Sequence, residues 1–431
     1  MRMQLGSSFN NNKSNFMRKL SLTLCLALTL SICLAQNERP CITMTTTGNL
    51  YGFTLSGAVG TIVTVKYGAR GIIRERFPLI LPSDKKSSFL DKMADGLDAA
   101  AKILGDTTVV PTKVVSTSVV FTIPAQGATP TDVQIYGEEI TELTSYSREL
   151  SAVDVSNCTT LETLSLSGKL TSLVVRDLPK LVSISCSNNI LASLKIDNCA
   201  LLYYLWCSGN QLTSMDISKC QNLKYLYCEK NQLTSLDIIG FPKLEELICY
   251  KNQLTSLDVK SGTQLRKIDC DENRITSLNV KNNVKLKTLK CNSNLLTSIE
   301  VGNSISLKKL QCEKNQLSFT SLPQPLERYN YDYAPQTTLA LSKATYTVGE
   351  PIDLSSQLTA KDATGLLQPT IYCWVDGKDK LLVAGTDYTE SVGIFTFLRQ
   401  IPSAYCKLTN KAFSDLAGRR ILKTSVVTIG L

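Results

Sequence analysis

Cysteines and carboxylates are the residues here with chemistry to offer. The chain has 15 cysteines and no histidine in 431 residues. Without histidine, Ser-His-Asp and Cys-His nucleophiles and imidazole-ligated metals are excluded. Carboxylate catalysis survives as an option, but it needs two acids facing each other across a cleft. Asp269 and Asp271, with Glu272 beside them, are the candidates. They read as a solvated acidic face ahead of a calcium site or an acid–base pair. Cys186, Cys207, Cys228, Cys249, Cys270, Cys291 and Cys312 recur every 21 residues. Metal ligands converge on a point, whereas residues at one phase of a repeat lie along a line. No metal and no cofactor is therefore expected. Cysteines suggest disulfides wherever a chain is exported, but equivalent side chains point the same way, which favours a buried column of reduced thiols.

The elements that position these residues are short and periodic. Asn189, Asn210, Asn231, Asn252, Asn273, Asn294 and Asn315 stand three positions after the cysteines. Leu181, Leu202, Leu223, Leu244, Leu265, Leu286 and Leu307 stand five before. The L-x-C segment alternates with period two, as a strand with one buried face does. The Asn amide can satisfy backbone groups at the turn beyond it. The second half of each unit also alternates and reads as extended backbone on the convex side, since 21 residues leave little room for a helix.

This unit, L-x-x-L-x-C-x-x-N-x-L, resembles the leucine-rich repeat, with Cys in place of a Leu. Its short form with a cysteine column is similar to that of bacterial internalin-like proteins. The resemblance covers residues 139–322. It includes two degenerate early turns, one through Ile140, Leu143, Leu150 and Val153 and one through Leu161, Leu164, Leu166 and Leu173. It implies a mainly β solenoid of about nine turns, stacked because no turn buries its own apolar face.

The flanks differ in pattern. Residues 1–35 hold Arg18-Lys19, an apolar stretch from Leu20 to Leu34, and a polar start at Gln36. That is the plan of a secretory signal peptide, with Met17 as an alternative start and cleavage after Ala35 ranked above lipidation at Cys33. The formal charge of +9 falls to 42 basic against 37 acidic groups once the leader's four cations are removed. No nucleic-acid partner follows from so mild an excess, and no apolar run of membrane-spanning length is found elsewhere. Residues 36–138 are expected to cap the solenoid with strands at 42–47, 51–55, 61–67, 119–123 and 132–137. Phe89, Met93, Leu97, Ala101 and Leu104 recur between them at helical spacing. Pro323, Pro325 and Pro335 mark a junction at 323–335. Residues 336–431 then read as short strands of a β-sandwich. Trp374 and Cys406 give it a resemblance to the immunoglobulin-like module that follows the repeats in internalins. Cys373 has the wrong phase to bridge to Cys406.

Because the consensus columns are structural, function is expected in the variable positions beside them. Tyr204, Trp206, Tyr225, Tyr227, Ile248 and Tyr250 should cluster, exposed, on three adjacent strands of the concave face. Clustered exposed aromatics mark interaction sites, although aromatics also simply suit strands. Lys267, Asp269, Asp271 and Lys290 form a mixed charged zone beside them. These features point to a secreted or cell-surface binding protein, a monomer, that recognises a protein or a glycan of a host or neighbouring cell. A cell-envelope scaffold without a soluble ligand is the alternative. A carboxylate hydrolase ranks last.

Overall fold

The computed structural model describes residues 40–46, 50–57, 62–67, 71–76, 114–115, 118–123, 131–137, 139–302, 305–325, 330–416 and 420–431. The leader and the helix expected at Phe89–Leu104 lie outside these residues.

The repeats build a parallel β solenoid. Each L-x-C segment contributes one short strand, from Ile140–Ser145 and Thr163–Leu166 through Ser183–Ser185, Tyr204–Trp206 and Tyr225–Tyr227 to Lys309–Gln311. Neighbouring turns pair in parallel and in strict repeat register, as in Tyr204↔Tyr225 and Trp206↔Tyr227. The Leu and Cys columns are fully buried beneath this sheet. The opposite side is extended backbone, with strands at Ser193–Asp197, Ser214–Asp216, Ser277–Asn279 and Ser298–Glu300. Cys158, Cys199 and Cys220 form a second column on the convex side, buried with Leu178 and Phe241.

The asparagines act as a second ladder. Asn252 Nδ2 donates to the carbonyls of Cys249 at 3.0 Å and Cys228 at 3.1 Å. Its Oδ1 accepts from the Leu233 N–H at 3.0 Å. Every other Asn of the column from Asn189 to Asn315 makes the equivalent bonds. The residue just before it turns the chain in the left-handed region, with φ of 57° at Asn188, 56° at Lys230 and Lys251, and 54° at Glu272. Gly209 is the only glycine there, and a Cβ on it would lie 2.8 Å from Asn188 Oδ1.

Both sheet edges at the start of the solenoid are covered. Strand Ile42–Thr46 pairs antiparallel with Leu150–Asp154 on the convex side, and Leu50–Gly57 pairs antiparallel with Ile140–Ser145 on the concave side. The cap thus removes two unpaired strand edges. A strand not anticipated from sequence, Gly71–Arg76, pairs with Ile62–Tyr67.

At the other end the expected junction is partly solenoid. Asn330–Asp332 adds a further parallel strand beside Lys309–Gln311. Tyr333 takes the cysteine position and Gln336 the asparagine position. Gln336 Nε2 donates to the Cys312 carbonyl at 2.9 Å, and its Oε1 accepts from the Leu317 N–H at 3.2 Å. The C-terminal strands follow as two sheets. Leu367–Asp376 and Ile401–Asn410 lie in one, and Pro351–Asp353, Ile394–Phe397 and Tyr388–Ser391 in the other. Trp374 packs edge-on against Phe397 of the facing sheet at 5.0 Å. This unit docks on the last turn rather than hanging free. Phe413 stacks on Phe319 at 5.9 Å and meets Tyr333 edge-on at 5.4 Å, and Gln357 Oε1 accepts from the Phe319 N–H.

Candidate functional site

The register forces the concave surface. With Leu205, Cys207, Leu226 and Cys228 pointing into the core, Tyr204, Trp206, Tyr225 and Tyr227 must point out, and all four are half-buried. Their rings lie against one another. Tyr204 stacks on Trp206 at 5.1 Å with 3° between planes, and on Tyr225 at 4.9 Å with 8°. Trp206 stacks on Tyr227 at 5.8 Å and 17°. The result is one continuous row, Tyr225–Tyr204–Trp206–Tyr227, in which the faces of the two middle rings are turned to neighbours.

Two expectations are corrected. Ile248 and Asp269 were expected to face outward into solvent, yet both are buried. Ile248 sits between Tyr227 and Asp269 in the cross-strand register. Neighbouring strands stand only about 4.8 Å apart, so side chains of the two flanking strands cover a middle position from both sides. Tyr250 remains half-buried, with the Lys230 ammonium 6.0 Å over its ring.

Tyr203 was missed. It precedes the strand and so falls outside the period-two alternation, but it shares the 21-residue spacing with Lys224 and Glu245. Its ring packs edge-on against Tyr204 at 4.6 Å. The Lys224 ammonium lies 5.3 Å over Tyr203 and 5.7 Å over Tyr225, and pairs with Glu245 at 2.8 Å. That hydrogen bond to Glu245, with a second to Tyr203, holds the Lys224 ammonium protonated well above its usual range.

The charged zone is internally paired. Lys290 meets Asp269 at 3.2 Å, and Lys267 meets Glu246 at 3.7 Å. Tyr227 donates to Glu246 at 2.9 Å. Burial first, then this hydrogen bond, pushes the Tyr227 phenol up. Asp271 accepts from the Asn292 backbone N–H at 2.6 Å and from its amide at 3.2 Å. Burial, with the charge of Asp269 second, raises the Asp271 carboxyl to about 6. Glu272 pairs with Lys251 at 3.5 Å. Each carboxylate considered for calcium or acid–base work thus has a partner within the protein. Among the described residues no group of three or more cysteines and carboxylates is arranged to hold a metal ion. Glu229 differs, because its Oε2 is buried without a hydrogen-bond partner.

The thiol ladder is chemically quiet. All described cysteines are free. Burial raises the Cys186 and Cys312 thiols to about 12 and pushes the thiols between them up as well.

No protein-family model and no curated protein matches the chain. Among solved structures, the chain is similar to the functional domain of InlJ from Listeria monocytogenes, which includes a cysteine ladder. Identity is 21% over 65% of this chain and 69% of that one, with a TM-score of 0.38. The internalin InlF of the same species is 19% identical over 46% and 68%, with a TM-score of 0.35. YopM, a leucine-rich effector from Yersinia pestis, is 25% identical over 43% and 58%, also at 0.35. The neighbours are internalins and other leucine-rich-repeat proteins. The fold of this chain rests on its own strand register, and nothing functional is carried over from them. No helix among the described residues is long and apolar enough to cross a membrane.

Proposed function

We propose that this is an exported binding protein, not an enzyme, and that it recognises a protein ligand through the aromatic end of its concave sheet. The observation that carries this reading is the stacked row Tyr225–Tyr204–Trp206–Tyr227. Half-buried Trp and Tyr side chains assembled on a sheet face are the residue types that anchor interfaces. A sugar stacks on an open ring face, and here the faces of the middle rings are turned to each other. What is offered instead is ring edges, hydroxyls and the Lys224 ammonium, which suit the mixed chemistry of a protein surface. Export rests on the leader pattern at residues 1–35. The binding role over catalysis is supported by the pairing of Asp269, Asp271 and Glu272 within the fold. We read the C-terminal two-sheet unit as immunoglobulin-like, on the pairing of Trp374 with Cys406 between neighbouring strands.

The test is binding of the labelled protein to arrays of extracellular proteins and of glycans. Wild type is expected to bind on the protein array. Trp206→Ala combined with Tyr227→Ala is expected to abolish that binding, at roughly 2 kcal/mol or more per anchor, with a native circular dichroism spectrum retained. Charge changes at Lys267 or Lys290 act more weakly and depend on salt. Undiminished binding by the folded double variant, or binding on the glycan array alone, overturns the reading.

A further inference from the structure

Of the described cysteines outside the ladder, Cys41 and Cys158 lie where the cap joins the solenoid. Cys41 precedes strand Ile42–Thr46, which runs antiparallel to Leu150–Asp154 with Thr43 opposite Asp154. Cys158 lies just beyond the end of that second strand, and the neighbouring Asn157 amide donates to the Pro40 carbonyl at 3.1 Å. The Asn157 contact therefore sets the turn that carries Cys158 against the segment that carries Cys41, just beyond the paired strands. Both thiols are aimed at the same crossover of the chain. Cys41 Sγ donates to the Ile135 carbonyl at 3.1 Å and Cys158 Sγ to the Ile140 carbonyl at 3.6 Å. The two thiols are also each other's strongest electrostatic neighbours. Cys158 is buried and Cys41 half-buried, so the pair has one side open to a small reagent.

We propose that Cys41 and Cys158 are a modification site, closing to a disulfide that fastens the N-terminal cap to the first turns of the solenoid. The oxidant is a small or protein disulfide, such as glutathione disulfide or a thiol–disulfide oxidoreductase. One thiolate of the pair attacks the oxidant's S–S bond and releases its first thiol. The second protein thiol loses its proton and attacks the protein sulfur of that mixed disulfide, releasing the other. Two protein S–H bonds and one oxidant S–S bond are broken, and one protein S–S and two oxidant S–H bonds are made.

The contrast with the ladder explains why this pair reacts and the others do not. Ladder sulfurs come from equivalent positions on parallel strands, point the same way and are sealed in the core. Cys41 and Cys158 come from antiparallel segments and converge. The neighbouring Cys41 thiol holds the Cys158 thiol below its usual range against the effect of burial, and the same interaction pushes Cys41 up. The pair therefore supplies a thiolate more readily than the ladder thiols do. Because the linked residues are far apart in sequence, the crosslink also constrains the unfolded chain strongly.

The test needs neither export nor a ligand. The purified protein is equilibrated in a buffer of glutathione and glutathione disulfide, quenched in acid, alkylated under denaturing conditions and mapped by mass spectrometry. The expected result is a Cys41–Cys158 linked peptide pair, with Cys186 through Cys312 alkylated as free thiols. A reductant should lower the thermal midpoint of the wild type and leave Cys41→Ser and Cys158→Ser unmoved. Recovery of both cysteines as free thiols overturns the proposal, as does a glutathione adduct on Cys41 that never resolves onto Cys158. The mapping of the wild type decides the matter even if a variant folds poorly.

Discussion

Gln336 sits one repeat beyond Asn315 and takes over its role. Asn315 Nδ2 donates to the carbonyls of Cys291 and Cys312, and Gln336 Nε2 donates again to that of Cys312. The side-chain ladder therefore ends on a residue that lies past the proline-rich segment. The C-terminal unit then seals the last turn through Phe413, Phe319 and Tyr333.

The C-terminal unit should thus stabilise the solenoid and should not behave as an independent appendage. Gln336→Ala leaves the Leu317 N–H and one lone pair of the Cys312 carbonyl unpaired, which costs about 1–3 kcal/mol. Phe413→Ala empties a fully buried aromatic site and costs about 3–5 kcal/mol. Denaturant unfolding followed by Trp206 fluorescence, in a background with Trp374→Phe, reports on the solenoid alone. An unchanged Trp206 midpoint in both variants would show that the two parts unfold independently.

Adjacent positions in the turn should respond oppositely. Asn252→Ala removes the partner of Leu233 N–H, Cys228 C=O and Cys249 C=O, at about 1–3 kcal/mol or more. Lys251→Gly relieves a left-handed backbone at φ 56° and loses only an exposed ion pair with Glu272. Its stability should match or exceed the parent's by about 1 kcal/mol. Urea denaturation of the two variants is the check, and equal losses would mean the turn geometry is wrong.

The solenoid should also carry a specific acid-side dependence. Burial and Asp269 raise the Asp271 carboxyl from its usual value to about 6. The folded state therefore binds a proton more tightly than the unfolded state does. This group's contribution favours folding below the unfolded pKa and is lost as pH rises through about 6. Asp271→Asn removes that titration. The stability difference between wild type and variant should shift against the wild type by about 1 kcal/mol from pH 4 to pH 7, a figure discounted for partial solvent screening. A difference that stays flat over that range would contradict the assignment.

The repeat was legible because it writes the same three columns seven times, and period-two alternation then fixes which neighbours face outward. Tyr204, Trp206, Tyr225 and Tyr227 follow from that alone. The burial of Ile248 and Asp269 does not, since it depends on how far side chains of the flanking strands cover the position. Tyr203 was hidden because it precedes the alternating segment. The extra strand at Asn330–Asp332 was hidden because Tyr333 and Gln336 replace the Cys and Asn that define the pattern. A longer side chain reaches the same carbonyl, which residue identity does not reveal. Gly71–Arg76 pairs only with another strand of the cap, and no repetition marks it.

The asparagine column has a mechanical consequence. Each amide grips its own turn and the one before it, so every seam between turns is stitched twice, once by strand pairing and once by side chains. A pull along the long axis loads both stitches of a seam together, and no turn can peel away while its Asn holds. For a protein tethered between two surfaces, such a stack would keep its concave face in shape under tension until a whole seam tears.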